Sequence, residues 1–257
     1  MPGSFALRHP IQVFRYLRSP SRLAKLLGGA VAPEELLRWM GEADRITQEI
    51  QARFAQEKWG QHEVTGSSAS KDRGPVLYAL VRGLRPEITV ETGVASGSSS
   101  YYILAALRDN ERGVLHSVDL PPQAWASSEY RAHDHVGLPM GREPGWLVPE
   151  DLRSRWTLHL GDTRTTLPQV LGNVPSIDLF FHDSEHTDEV MRFEYAQAWP
   201  RIRPGGVMGS DDINRNHAFR DLRRQATESP VLVGGFGFLR KPGRTSGPRP
   251  GAPSRVG

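Results

Sequence analysis

Two short apolar runs that each end in acid constrain this chain more than any other feature. Phe180-Phe181-His182-Asp183-Ser184-Glu185-His186 is answered about 25 residues later by Gly206-Val207-Met208-Gly209-Ser210-Asp211-Asp212. Runs of this length and composition read as parallel strands buried on both faces, which places the acids at the carboxyl edge of a sheet. Carboxylates gathered there repel one another unless a cation sits between them, and oxygen ligands suit Mg²⁺ or Ca²⁺ better than zinc. Asp183, Asp211 and Asp212 are therefore candidate ligands of a hard divalent cation. Each aspartate taken singly also fits a cap on the helix that follows its strand; the pairing of the two segments is what favours a metal.

Upstream, Pro86-Glu87-Ile88-Thr89-Val90-Glu91-Thr92-Gly93-Val94-Ala95-Ser96-Gly97-Ser98 reads as a strand and a glycine-rich turn, with a helix beginning near Ser98. Glycines at 93 and 97 allow a sharp turn and a close approach to a ligand, and the helix start offers free N–H groups to an anionic group. The spacing is G-x-x-x-G and not the G-x-G-x-x-G dinucleotide fingerprint. A second strand, Gly113 to Asp119, ends in an acid where a doubly wound fold holds ribose hydroxyls.

With these residues in place, the chain resembles the class I S-adenosylmethionine (SAM) dependent methyltransferases from about Thr65 to Lys241. Within that superfamily it resembles the metal-dependent O-methyltransferases, both the catechol group and the macrocin-type sugar group. The family's E-x-G-x-x-x-G-x-S motif is matched by Glu91, Gly93, Gly97 and Ser99, and its G-D pair after the third strand by Gly161-Asp162. The resemblance implies a Rossmann-like seven-stranded α/β sheet with helices on both faces. It also implies that the turn from Gly93 to Ser99 holds the methionine end of SAM, Asp119 the ribose, and Asp162 the adenine side. Mg²⁺ or another hard cation would lie on Asp183, Asp211 and Asp212. Catechol-type enzymes usually end that set in Asp-Asn, so Asp-Asp leans towards the sugar branch.

A chain of 257 residues with 38% hydrophobic content can bury one full core, so one domain is expected. The absence of cysteine rules out disulfides and thiolate metal sites. No run reaches transmembrane length and the start lacks the apolar core of a secretion signal, so a cytoplasmic enzyme is expected. The formal charge of +3 conceals an asymmetry: Arg8, Arg15, Arg18, Arg22 and Lys25 at one end, and Arg240, Lys241, Arg244, Arg249 and Arg255 at the other, are set against no acid. The middle of the chain is therefore acidic, with 22 basic against 29 acidic residues. A nucleic-acid binder would carry a basic stripe on its folded face, so this distribution argues against a nucleic-acid substrate, and the resemblance implies a small-molecule hydroxyl acceptor.

Residues 1–60 are expected as a helical cover, residues 61–241 as the methyltransferase domain and residues 242–257 as a disordered basic tail. His9 to Leu27 suggests two short amphipathic helices around Pro20, through which the chain would dimerise or lie on its own domain. Pro33 to Gln56 reads as one helix, and Trp59 to Ser70 as a segment that folds over a cofactor. Pro121 to Pro149 is irregular and is expected over the substrate mouth, with a short helix from Ser127 to His133; His133, Asp134 and His135 read as surface residues. Further on, Pro204-Gly205-Gly206 reads as a turn before the fifth strand, His217 to Glu228 as a helix, and Val231–Gly234 with Gly237–Arg240 as terminal antiparallel strands.

A neutral alcohol is too poor a nucleophile to take a methyl group from a sulfonium, so the acceptor must lose its proton. A cation on the aspartates would lower the hydroxyl pKa and aim its oxygen. Glu185 and His186 are the candidate bases: histidine has the better suited pKa, and the sugar-branch similarity favours the glutamate. By the two-residue period His182 faces away from Asp183 and reads as structural. Two other functions compete with methyl transfer. One is a metal enzyme of the SAM fold resembling the cephalosporin hydroxylases, and the other is a non-catalytic SAM-binding partner subunit.

Overall fold

Seven strands form one sheet in the order β3-β2-β1-β4-β5-β7-β6. They are β1 (Ile88–Thr92), β2 (Val114–Asp119), β3 (Trp156–Leu160), β4 (Ile177–His182), β5 (Ile202–Ser210), β6 (Val231–Val233) and β7 (Phe236–Arg240). The first five are parallel; β7 lies antiparallel to β5 and closes a hairpin with β6. The computed structural model describes residues 19–57, 73–125, 138–139, 141–226 and 229–243. Among these, no helix is long and apolar enough to cross a membrane.

Helices cover both faces. On one lie α1 (Ser19–Leu26), α2 (Pro33–Glu42), α3 (Asp44–Phe54), α4 (Gly74–Leu84) and α5 (Ser98–Asp109). Leu23, Leu36, Ile50, Leu77 and Leu104 pack there with Leu115, Leu179, Phe181 and Val207 of the sheet. After the short α6 (Pro122–Trp125), the opposite face is covered by α7 (Thr163–Gly172), α8 (Asp188–Arg201) and α9 (Ala218–Leu222). Leu167, Met191 and Phe219 pack there against Val90, Val118, Phe180 and Met208. The strict alternation of Phe180 and Phe181 between the two cores follows from the period of two along a strand. With both faces covered, the strands must be apolar almost throughout, which is why β4 has no exposed residue.

Three expectations are corrected. Pro33 to Gln56 is two helices, α2 and α3, separated at the fully buried Ala43. Pro204-Gly205-Gly206 is no turn between helix and strand, since α8 runs through Pro200 and β5 starts at Ile202. Ile177 pairs with Ile202 but Leu179 with Val207, so the segment is accommodated as a bulge in β5, with Gly205 at φ +81°. The helix expected over His217 to Glu228 stops at Leu222, followed by a 3₁₀ turn over Arg223–Gln225. Residues before Ser19, Trp59 to Ser70, the expected helix at Ser127 to His133, the His133-Asp134-His135 group and the tail beyond Gly243 lie outside the described residues.

Candidate active site

The sheet order reverses between β1 and β4, each of which leaves the sheet on the same edge, and a crevice for ligands opens at such a point. Gly93 follows β1 at φ +80°, and a Cβ there would lie 2.0 Å from the carbonyl oxygen of Asp183. Only glycine lets the two strand exits approach this closely. Gly97 (φ +92°) meets the Cα of Gly145, and the N–H groups of Gly145 and Leu147 donate to Ala95 O and Ser96 O at 2.8 and 3.0 Å. The irregular region expected over the substrate mouth thus folds, in its described part, onto the glycine turn.

Glu91 is fully buried; its Oε2 accepts from Ser100 Oγ (2.6 Å) and Ser117 Oγ (2.8 Å), while Oε1 has no partner. Burial pushes its carboxyl up against the pull of Ser100, Ser99 and Ser117. Asp119 ends β2 at 3% exposure and accepts from the backbone N–H groups of Ala95 (2.8 Å), Val94 (3.2 Å) and Leu120 (2.7 Å). Burial raises it to about 7, those three donors opposing. Asp162 caps α7 through Arg164 N at 2.7 Å and is half-exposed.

At the ends of β4 and β5, Asp183, His186 and Asp211 each bring one ligand atom within 4.8 Å of the others. His186 Nε2 is 3.8 Å from Asp183 Oδ1. Burial first, and then the Asp211 charge, push the Asp183 carboxyl well up; Asp211 is raised too, mainly by burial, with Arg73 opposing. Asp183 and Asp211, both expected as ligands, therefore meet, and the side chain that lies within reach of both is His186. Asp212, at φ +46°, turns to Arg215 (2.9 Å) and lies 3.7 Å from Arg73. Arg73 also makes an ion pair with Asp211 and stacks on Phe236 at 5.0 Å. Glu185 lies near Arg164 of α7, whose proton its charge helps to retain.

Two carboxylates and an imidazole suit a divalent cation, and the raised pKa values mark a place short of positive charge. The residues fit such an ion on one condition: Arg73 and the ion are alternatives on Asp211. The fit to SAM rests on the unused Glu91 Oε1, the Asp119 carboxylate and the glycine turn at one edge.

Behind this cluster lies a polar network facing α8. Glu194, fully buried on α8, accepts from Thr92 Oγ1 of β1 and Ser184 Oγ (2.7 Å), and bonds His182 Nδ1 (2.6 Å). Burial alone would raise its carboxyl, but the His182 charge and the three bonds hold it below the usual range. The His182 ring meets His186 edge-on at 5.4 Å. Next to it Tyr195 Oη and Ser210 Oγ are 2.6 Å apart. His182 is thus fully buried and bound to Glu194 of α8.

The sequence reading missed Arg73 and Glu194. Arg73 carried no signal, since its partners lie nearly 140 residues away. Glu194 did carry one: it shares the buried side of α8 with Val190, Met191, Tyr195 and Ala198, an inward position for an acid that demands partners.

A family model described as a methyltransferase domain matches residues 90–213. A search of curated proteins returns no match. Among solved structures, the O-methyltransferase NovP is similar at 12% identity, covering 78% of this chain and 98% of that one with a TM-score of 0.56. TomG of Streptomyces achromogenes, an O-methyltransferase solved in complex with SAM, gives 16% identity, 77% and 96% coverage and a TM-score of 0.46. An O-methyltransferase from Bacillus cereus gives 16%, 79% and 91%, and 0.46. The fold is that of the class I methyltransferases.

Proposed function

We propose that the methyltransferase domain matched at residues 90–213 transfers a methyl group from SAM to one hydroxyl of a vicinal pair on a small molecule, with a divalent cation at Asp183 and Asp211. The observation that carries this reading is the convergence of Asp183, His186 and Asp211 beside the glycine crevice. SAM supplies an electrophilic methyl group; the cation supplies Lewis acidity and a fixed direction for the acceptor oxygen. Asp183 and Asp211 carry the charge that holds the cation, and Arg73 occupies Asp211 when the cation is away. His186, 10% exposed and 3.8 Å from Asp183, takes the acceptor proton. An imidazole bound to the cation has no lone pair for that proton, so His186 serves as base where the two aspartates alone hold the ion. Glu185 is not among the groups that converge with Asp183 and Asp211, and is the less suitable base.

Incubation with SAM and a panel of catechols and sugar diols tests this. Methyl transfer is expected, lost on exhaustive chelation, restored by Mg²⁺, and poor for acceptors lacking one of the two hydroxyls. SAM binding without any methyl transfer would favour the hydroxylase-like or partner-subunit reading. Activity that survives chelation would return the aspartates to capping.

Asp119 gives a second test. Its hydrogen bonds to ribose hydroxyls are charge-assisted only when it is ionised, so Asp119→Ala should weaken SAM by about 1.5–3 kcal/mol. Because burial raises the folded value from 3.8 to about 7, this group favours folding at low pH and opposes it once ionised. Its contribution is lost as pH rises through that window. SAM affinity of the wild type should therefore rise between about pH 6 and pH 8, while the variant stays flat. A calorimetric titration with the same pH slope in both proteins would remove Asp119 from the ribose.

A further inference from the structure

We infer that the cavity beyond Asp212 binds an oxyanion group, phosphate or carboxylate, carried by the acceptor; this rests on the methyl-transfer reading above and names its substrate class. The cavity has a volume of about 630 Å³, within the range of small-molecule sites. Its polar wall carries Arg192, Arg215, Arg220 and Arg223, and its apolar wall includes Phe219 and Leu232. Asp188, Asp212 and Asp221 are already engaged. Asp188 and Asp221 hold Arg192 at 2.5 and 2.7 Å, Asp221 also holds Arg224 at 3.2 Å, and Asp212 holds Arg215 at 2.9 Å. Arg220 has only a 3.6 Å contact with Asp221, and Arg223 makes no ion pair with a described residue. Of the four guanidinium groups that line the cavity, Arg192 and Arg215 are thus held by described aspartates, and the excess lies on Arg220 and Arg223. Guanidinium groups bind carboxylate and phosphate oxygens in parallel pairs of hydrogen bonds, so this excess selects an oxyanion.

The position ties the cavity to the reaction. Arg215 reaches back to Asp212, next to the Asp211 of the cluster, and Asn216 Nδ2 donates to the carbonyl of His186 at 3.0 Å. An acceptor long enough to pass Arg215 and Asn216 would seat its anionic end among the arginines and present a hydroxyl to Asp183 and His186. Phe219 and Leu232 give its apolar portion a surface.

The test is calorimetric titration of inorganic pyrophosphate into the full chain loaded with S-adenosylhomocysteine. Binding should weaken about tenfold or more in an Arg220→Ala/Arg223→Ala double variant and recover in part with lysine at both positions. Affinity for S-adenosylhomocysteine monitors the fold. A second arm compares KM for catechol and 3,4-dihydroxybenzoate, and for a sugar diol and its phosphate ester. The anionic member should have the lower KM, the double variant should erase the difference, and the pair that shows it identifies carboxylate or phosphate. Absent pyrophosphate binding, binding undiminished in the double variant, or a KM ratio unchanged by it would overturn the inference. Failure to methylate any acceptor would strike the proposed reaction, while the pyrophosphate titration would still read the cavity.

Discussion

Asp183→Ala is expected to lose Mn²⁺ binding and to lower methyl transfer by about a thousandfold or more, the several kcal/mol that a fixed Lewis acid contributes to the transition state. Asp183 sits where β4 leaves the sheet, beside Gly93 and within ligand distance of Asp211 and His186. Its raised carboxyl shows that folding alone leaves its charge poorly compensated, so a cation gains most there. Asp211 keeps Arg73 as a partner when the ion is absent; among the described residues no lysine or arginine makes an ion pair with Asp183. Electron paramagnetic resonance of Mn²⁺ measures the loss directly, and S-adenosylhomocysteine affinity should change little because the contacts proposed for it, at the glycine turn and Asp119, follow β1 and β2. Undiminished Mn²⁺ binding in this variant would refute the site.

Glu194→Ala should be the most destabilising single change near the site. Its carboxylate is fully buried and serves Thr92, Ser184 and His182 at once, so truncation leaves three polar groups without their partner. Breaking a buried charged network of this kind costs about 3–5 kcal/mol, which in a chain of this size lowers Tm by about 6–20 °C. The pH dependence follows from the direction of the shift. The folded carboxyl lies below its ordinary 4.5, so its contribution is present above that value and is lost as pH falls through the folded one. Thermal melts should show a large gap between wild type and variant at neutral pH that narrows in acid. An equal gap at every pH would mean that lost packing, and not the charge network, is responsible.

Much of the fold was legible because its signals are local. β4 and the end of β5 are continuous apolar runs, Gly93 and Gly97 mark a turn that other residues cannot make, and Gly234-Gly235 joins two short strands. The errors fell where tertiary contacts override a local preference. A Pro-Gly-Gly segment read as a turn was absorbed as a bulge because β4 on one side and β7 on the other pair with β5 beyond it. The expected long N-terminal helix is divided at Ala43, with α2 packed on α4 and α3 reaching both α4 and α5.

The candidate site divides in the same way. Acids at strand ends, the identity of the glycines and the residues available as bases follow from the chain itself, since a strand's period of two and its exit from the sheet assign each side chain to an edge and a face. Which of those acids meet was decided only in three dimensions. Asp212, one bond further along, enters a left-handed conformation and swings to Arg215, while His186 folds back over Asp183. Arg73 arrives from a position remote in sequence and Glu194 reaches across to Thr92 of β1, and no local pattern encodes a partner more than 100 residues away. Charge balance in a buried cluster is set by everything packed around it, because burial makes each unpaired charge costly and leaves the fold to supply the counter-charge.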